Sequence, residues 1–181
     1  MTDGRLIAVV GPSGVGKDSI MAGIAAAMPA IKLVRRTITR APDLGGEDYD
    51  AVTPEDFRTA VNEGQFCVHW GAHDLFYGIP STVLDDVKNG AHCLANFSRA
   101  ALTHAQAIFP TLVVLNITAS AETLADRLEN RQRETKAEII KRLSQSAKPL
   151  PSGLTVITIQ NEGALEDAVQ KAVHALHPAR A

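Results

Sequence analysis

Short, mainly apolar runs recur along the chain at Leu6–Val10, Ala91–Phe97, Thr111–Ile117 and Leu154–Ile159, the first of them unbroken. Each is too short for a helix, and each is followed closely by Gly, Asn or Ser. Runs of this kind, apolar at successive positions, belong to strands buried on both faces. Between them lie stretches with helix-forming composition and helix punctuation. The first, Ser19–Met28, ends near Pro29. Ser98–Ala107 follows the second apolar run. Ser120 caps a helix running through Arg131, Lys136–Ala147 is stopped by Pro149 and Pro151, and Ala164–Leu176 closes the chain. Core strands alternating with helices predict an α/β three-layer sandwich with a mostly parallel sheet.

The rhythm breaks between about 36 and 90. Ile31–Arg40 alternates β-branched and polar positions and is predicted as one strand carrying Arg35, Arg36 and Arg40. Ala41–Asp50 is rich in turn residues and is predicted as a loop. Thr53 is placed as an N-cap before Pro54, Glu55 and Asp56, opening a helix to about Asn62 that stops at Gly64. Gln65–Tyr77 is predicted as a hairpin around Gly71–Asp74, and Pro80–Thr82 opens a small helix ending at Gly90. This is an α+β insertion beside the sheet, within a single domain spanning 1–181.

Composition narrows the partners. With 181 residues, 45% of them hydrophobic, and a net charge of −2, the chain can build a substantial core. It lacks the global positive field of a nucleic-acid or membrane-surface binder, so neither is expected as a partner. Anionic ligands must be met by local arginine clusters. Cys67 and Cys93 form no C-x-x-C and imply neither a disulfide framework nor a zinc site. No run approaches membrane-spanning length, and a cytoplasmic location is the default expectation.

The candidate chemistry begins directly behind the first apolar run. Gly11, Pro12, Ser13, Gly14, Val15, Gly16 and Lys17 stand between a strand and a helix, the context a phosphate-binding loop requires. Gly11, Gly14 and Gly16 are expected to take positive φ and expose backbone N–H donors to phosphate oxygens at a helix N-terminus. Lys17 would reach the outer phosphates as a mobile charge. The pattern G-x-x-x-x-G-K-S/T is met except at its last position, where Asp18 precedes the hydroxyl of Ser19. A carboxylate beside a triphosphate repels it unless a cation lies between. Asp18 and Ser19 are therefore expected to face Mg²⁺.

Arginines cluster at Arg35, Arg36 and Arg40 and again at Arg127, Arg131, Arg133 and Arg142. Singly, each could be a solvated charge or an i,i+4 ion pair, as Glu129–Arg133 and Glu138–Arg142 could be. Beside a phosphate loop they suit phosphoryl transfer, which requires charge neutralisation around the moving group. His69 and His73 are four apart, but Gly71 and the hairpin pattern argue against a helical metal pair. Asn96 and Asn116 stand where a strand-ending acid would be sought.

With these residues in view, the chain resembles the guanylate-kinase-like branch of the nucleoside monophosphate kinase fold over nearly its whole length. The matching features are the glycine loop, Thr37–Arg40, Glu47–Tyr49, Gly64–Phe66, Tyr77–Gly78, the Arg127-to-Arg142 pattern and Ile159–Asn161. Within that branch it is most similar to the ribose 1,5-bisphosphate phosphokinases of phosphonate catabolism. The pointers are Lys17–Ser19, Arg35–Pro42, Gly45–Asp48, His69–Trp70 with Tyr77–Pro80, and Ala95–Arg99. The resemblance implies ATP and Mg²⁺ as cofactors and a small phosphosugar as substrate, with a homodimer left open. It implies Lys17, Arg131 and Arg142 as catalytic residues. ATP would be held by the loop from Gly11 through Ser19 with Arg133 and Asn161, and the acceptor by Arg36, Arg40, Tyr49, Tyr77 and Asn96. A lid is expected over about 127–146.

Departures from true guanylate kinases point the same way. Val68 falls where they carry a glutamate that reads guanine, Arg36 falls near a base-holding serine, and Asn96 and Ser98 replace an acidic pair. Without buried acceptors the reason to prefer guanine disappears. A second phosphate-binding arginine of those enzymes falls near Asp43. The rival readings are a nucleoside monophosphate kinase and a non-catalytic binding module of the same fold; modules of that kind typically lose the loop lysine and glycines that are present here.

Overall fold

The computed structural model describes residues 4–42, 46–129, 135–146 and 148–177. In chain order the elements are β1 (Arg5–Val10), α1 (Lys17–Ala27), β2 (Ile31–Leu33), β3 (Arg36–Ile38), β4 (Tyr49–Ala51), α2 (Pro54–Asn62), β5 (Phe66–Ala72) and β6 (Leu75–Pro80). They continue with α3 (Thr82–Lys88), β7 (His92–Asn96), α4 (Leu102–Ile108), β8 (Leu112–Thr118), α5 (Ala121–Glu129), α6 (Lys136–Ser146), β9 (Thr155–Gln160) and α7 (Leu165–Leu176). A 3₁₀ turn, Arg99–Ala101, leads into α4.

The core is a five-stranded parallel sheet in the order β2-β7-β1-β8-β9. Strand β1 is fully buried from Leu6 to Val10 because both faces are covered. Leu6, Ala8 and Val10 pack toward Val83, Leu102, Ala105 and Phe109 on one side. Ile7 and Val9 pack toward Ile20, Ile24, Ala168 and Ala172 on the other. Helices α1 and α7 approach closely at Gly23, where a Cβ would lie 2.6 Å from Val169 Cγ2. Chain order reverses direction at β1, between β7 and β8. In open α/β sheets ligands bind in the crevice at such a switch point, beyond the carboxyl ends of the strands.

The second sheet has the order β4-β3-β6-β5 and, with α2 and α3, occupies the insertion. Here the structure corrects two sequence expectations. Ile31–Arg40 is not one strand. Its first part, β2, pairs with β7 in the core sheet, and its second part, β3, pairs with β4 and β6 in the other. And Ala41–Asp50 is not all loop, since Tyr49–Ala51 forms β4. Arg35 fastens that pairing, with its guanidinium 3.1 Å from Asp48 Oδ2 and 2.7 Å from Asp50 Oδ1. The hairpin closes on His73 and Asp74, both at positive φ (52° and 60°), which is the backbone of a type I′ turn. His69 is in strand β5 and His73 is in that turn, so the two share no helical face.

Helix ends follow their sequence signals. Thr53 Oγ1 accepts the Asp56 N–H at 3.1 Å. Ser120 Oγ accepts the Thr123 N–H at 3.1 Å. Thr135 and Glu138 form a reciprocal capping box, so Glu138 serves the α6 N-terminus. Among the described residues no helix is long and apolar enough to cross a membrane.

At the opposite end of the strands from the glycine loop, His92 and Arg5 are paired across β7 and β1. The His92 Nδ1 atom is buried with no partner among the described residues. Burial, and secondarily the Arg5 guanidinium, push the imidazole below its ordinary pKa. As pH falls through about 6.5 the unfolded chain therefore takes up this proton before the folded one does, and stability declines. Urea denaturation at about pH 7.5 and about pH 5.5 should show the loss, and His92→Gln should flatten it.

Candidate active site

The loop from Gly11 to Gly16 turns the chain from β1 into α1 at the switch point. Gly14 and Gly16 have φ of 81° and 91°, and Gly16 caps α1 in the left-handed conformation. Gly11 does not share that conformation, contrary to the sequence expectation. It is required for close approach, because a Cβ there would lie 2.6 Å from the Ile117 carbonyl oxygen. The loop is braced from below. Asn161 Nδ2 donates to the Val15 carbonyl at 2.8 Å, and Arg127 Nη2 donates to the Asn161 carbonyl at 2.8 Å. Leu128 of α5 rests against Gly14. Asn161, expected at the adenine pocket, is thus buried beneath the loop.

Lys17 Nζ donates to the Gly11 carbonyl at 2.7 Å. Burial pushes this ammonium below the usual lysine range. Asp18 and Glu47 work against that effect, and Arg36 and Arg99 reinforce it. Those contributions identify the charges surrounding Lys17, two arginines and two carboxylates. Asp18 and Ser19 lie exposed in the first turn of α1. Asn96, at the end of β7, donates from Nδ2 to Asp18 Oδ1 at 3.4 Å and is itself buried. The exposed carboxylate and hydroxyl are hard oxygen donors of the type Mg²⁺ takes. Among the described residues no cluster of three or more His, Cys, Asp or Glu could hold a metal by itself.

Facing the loop from the insertion is an aromatic shelf. The Trp70 and Tyr77 rings are stacked at 5.5 Å and nearly parallel, and Phe97 stacks on Trp70 at 5.2 Å. The Arg36 guanidinium lies over both shelf rings, 4.9 Å from Tyr77 and 5.8 Å from Trp70. It is buried and paired with Glu47, whose carboxylate accepts from Nε at 3.0 Å and also from Nη2. Arg40 lies over the Tyr49 ring at 4.3 Å, and the Tyr49 hydroxyl donates to the Ala41 carbonyl. Val68 is wholly buried in the apolar core, so no polar group occupies that position. Arg131 and Arg133 lie outside the described residues, as does Asp43, while Arg142 falls within α6.

Two site residues escaped the sequence reading of roles. Glu47 was visible only as part of a loop motif. Arg99 follows directly after the β7 end, donating from Nη1 to the Lys148 carbonyl and from Nη2 to Asn116 Oδ1 at 3.3 Å. The signal for Arg99 was its position, three residues after Asn96, at the carboxyl end of the strand neighbouring β1.

A glycine loop at the switch point, with Arg36 and Arg99 within electrostatic reach of Lys17, is an arrangement that suits phosphoryl transfer. The guanylate kinase family profile matches residues 3–178. Ribose 1,5-bisphosphate phosphokinase PhnN of Ruegeria sp. (strain TM1040) is 46% identical over 98% of this chain and 94% of its own length. The chain belongs to the ribose 1,5-bisphosphate phosphokinase family. A second relative in that family, from Agrobacterium fabrum, is 43% identical over 90% of this chain and 91% of its own. A bifunctional ribose 1,5-bisphosphokinase-thymidine phosphorylase of Azorhizobium caulinodans is 41% identical over 97% of this chain but only 26% of its own length. The phosphokinase unit is there one part of a longer polypeptide. Among solved structures, guanylate kinase from Anaplasma phagocytophilum superposes with a TM-score of 0.68 at 20% identity, covering 97% of this chain and 84% of that one. That likeness is one of fold.

Proposed function

We propose that the chain transfers the γ-phosphoryl of ATP to the 1-phosphate of ribose 1,5-bisphosphate, giving ADP and 5-phospho-α-D-ribose 1-diphosphate, a step of phosphonate catabolism; the names of its relatives support this reading. The observation that carries this reading is the pairing of the glycine loop and Lys17 with the buried Arg36 on its aromatic shelf, at a position where the resemblance to guanylate kinases puts a base-holding serine. An oxygen of the 1-phosphate attacks Pγ, and the bond from Pγ to the β–γ bridging oxygen breaks. The acceptor has a second pKa near 6 and is mostly ionised at neutral pH, so no strong general base is demanded. Catalysis is then positioning and electrostatics.

Lys17 and the loop from Gly11 through Ser19 hold the ATP phosphates. Arg36, Arg40, Tyr49 and Tyr77 hold the acceptor. Arg131, Arg133 and Arg142 close over the transferring group from a lid spanning about 127–146, which excludes water from the bound triphosphate. Asn96 orients Asp18, and Asn161 supports the loop. Mg²⁺, held by Asp18 and Ser19, would supply charge neutralisation on the phosphates. Incubation with ATP, Mg²⁺ and ribose 1,5-bisphosphate, followed by phosphorus NMR, should show a new diphosphate doublet pair matching the 1-diphosphate product. ATP loss with only inorganic phosphate appearing would refute the assignment.

A further inference from the structure

The Arg36–Glu47 pair has a geometry that an incidental ion pair would not need. Arg36 is held on three sides, with the Tyr77 and Trp70 rings against the guanidinium face and Glu47 along the Nε/Nη2 edge. Both partners are largely shielded, with side-chain exposures of 7% and 15%. Two of the guanidinium's five N–H donors go to Glu47, and the remaining donors are left in a fixed plane. The pair also lies within electrostatic reach of Lys17, so it belongs to the cleft and not to a remote surface. A planar fork held in this way suits bidentate recognition of a phosphate.

We propose that Glu47 is a positioning residue that aims Arg36 at the 5-phosphate of the acceptor. This rests on the reading of the acceptor as a pentose bisphosphate. The 1-phosphate must face Lys17 and the transferring group, which leaves the second phosphate to the shelf side of the cleft. Glu47 itself bears a like charge to the phosphate and works only through Arg36. Its carboxylate fixes the fork along one edge, and the Tyr77 and Trp70 rings hold the guanidinium plane.

Steady-state kinetics of Glu47→Gln, Arg36→Met and the double variant test this. Glu47→Gln should raise KM for ribose 1,5-bisphosphate about 10- to 100-fold, with KM for ATP and kcat within about threefold. The inhibition constant of ribose 1-phosphate, which lacks the 5-phosphate, should be unchanged by the substitution. In the Arg36→Met background, adding Glu47→Gln should cost nothing further, because the group it positions is gone. The double variant also removes the unpaired buried charge and guards against loss of fold. An equal penalty on ribose 1-phosphate, an additive penalty in the double variant, or an unchanged acceptor KM would overturn the role of Glu47. If the unsubstituted protein released no ADP with ribose 1,5-bisphosphate, the functional reading would fall and this one with it.

Discussion

Lys17→Met is expected to lower kcat/KM for phosphoryl transfer about 10²- to 10³-fold while leaving the fold intact or slightly more stable. The rate effect follows from removing a half-buried positive charge that the proposed mechanism sets on the ATP phosphates, where an absent donor typically costs that much. The stability effect follows from the environment of the ammonium. Burial already disfavours its charged form, a cost that Asp18 and Glu47 counter in part. Methionine fills much the same volume without a charge to desolvate. Lys17→Arg should not restore the rate, because a planar fork cannot replace a compact ammonium folded against the Gly11 carbonyl. A coupled ADP-release assay beside a thermal melt checks both halves. Near-normal turnover in Lys17→Met would show that the lysine is not in the transferring site.

Gly11→Ala is expected to be the most damaging single-methyl change in the loop, costing about 10²-fold in kcat/KM. The new Cβ would meet the Ile117 carbonyl oxygen at 2.6 Å, and that carbonyl belongs to the core strand β8. Neither side can yield cheaply, so the loop must shift, and displacements near 1 Å in a positioned site cost about two orders of magnitude. Gly14→Ala offers a contrast. Its Cβ would meet only the side chain of Leu128, with 3.0 Å to Cγ, although φ of 81° adds strain. Rates for the two variants, with ATP affinity measured separately, discriminate a displaced loop from general destabilisation. Equal, small effects at both positions would contradict the geometry.

The core sheet and glycine loop were legible because they depend on local signals: short, mainly apolar runs, helix caps, and glycine between strand and helix. The split of Ile31–Arg40 was not. A β-branched alternation reports that residues are extended, but which sheet they join depends on distant partners, here β7 for Ile31–Leu33 and β4 with β6 for Arg36–Ile38. Strand β4 has little strand propensity of its own and exists through its pairing with β3 and the Arg35 contacts. The same reason hid the partners of the site residues. Arg36 was visible as a charge, but its pairing with Glu47 eleven positions away was not. Asn96 and Asn161 are expected as ligand contacts from their side-chain type, and their pairings with Asp18 and the Val15 carbonyl, set by distant segments, were not visible.

The central claim is that this cleft receives a doubly phosphorylated pentose in place of a nucleotide base. The most direct test is kcat/KM measured side by side for ribose 1,5-bisphosphate and GMP with saturating ATP. The account predicts a preference for the bisphosphate of about 10⁴-fold or more, since the base would find Arg36 on the shelf and no acceptor at Val68. Comparable turnover of GMP would contradict it.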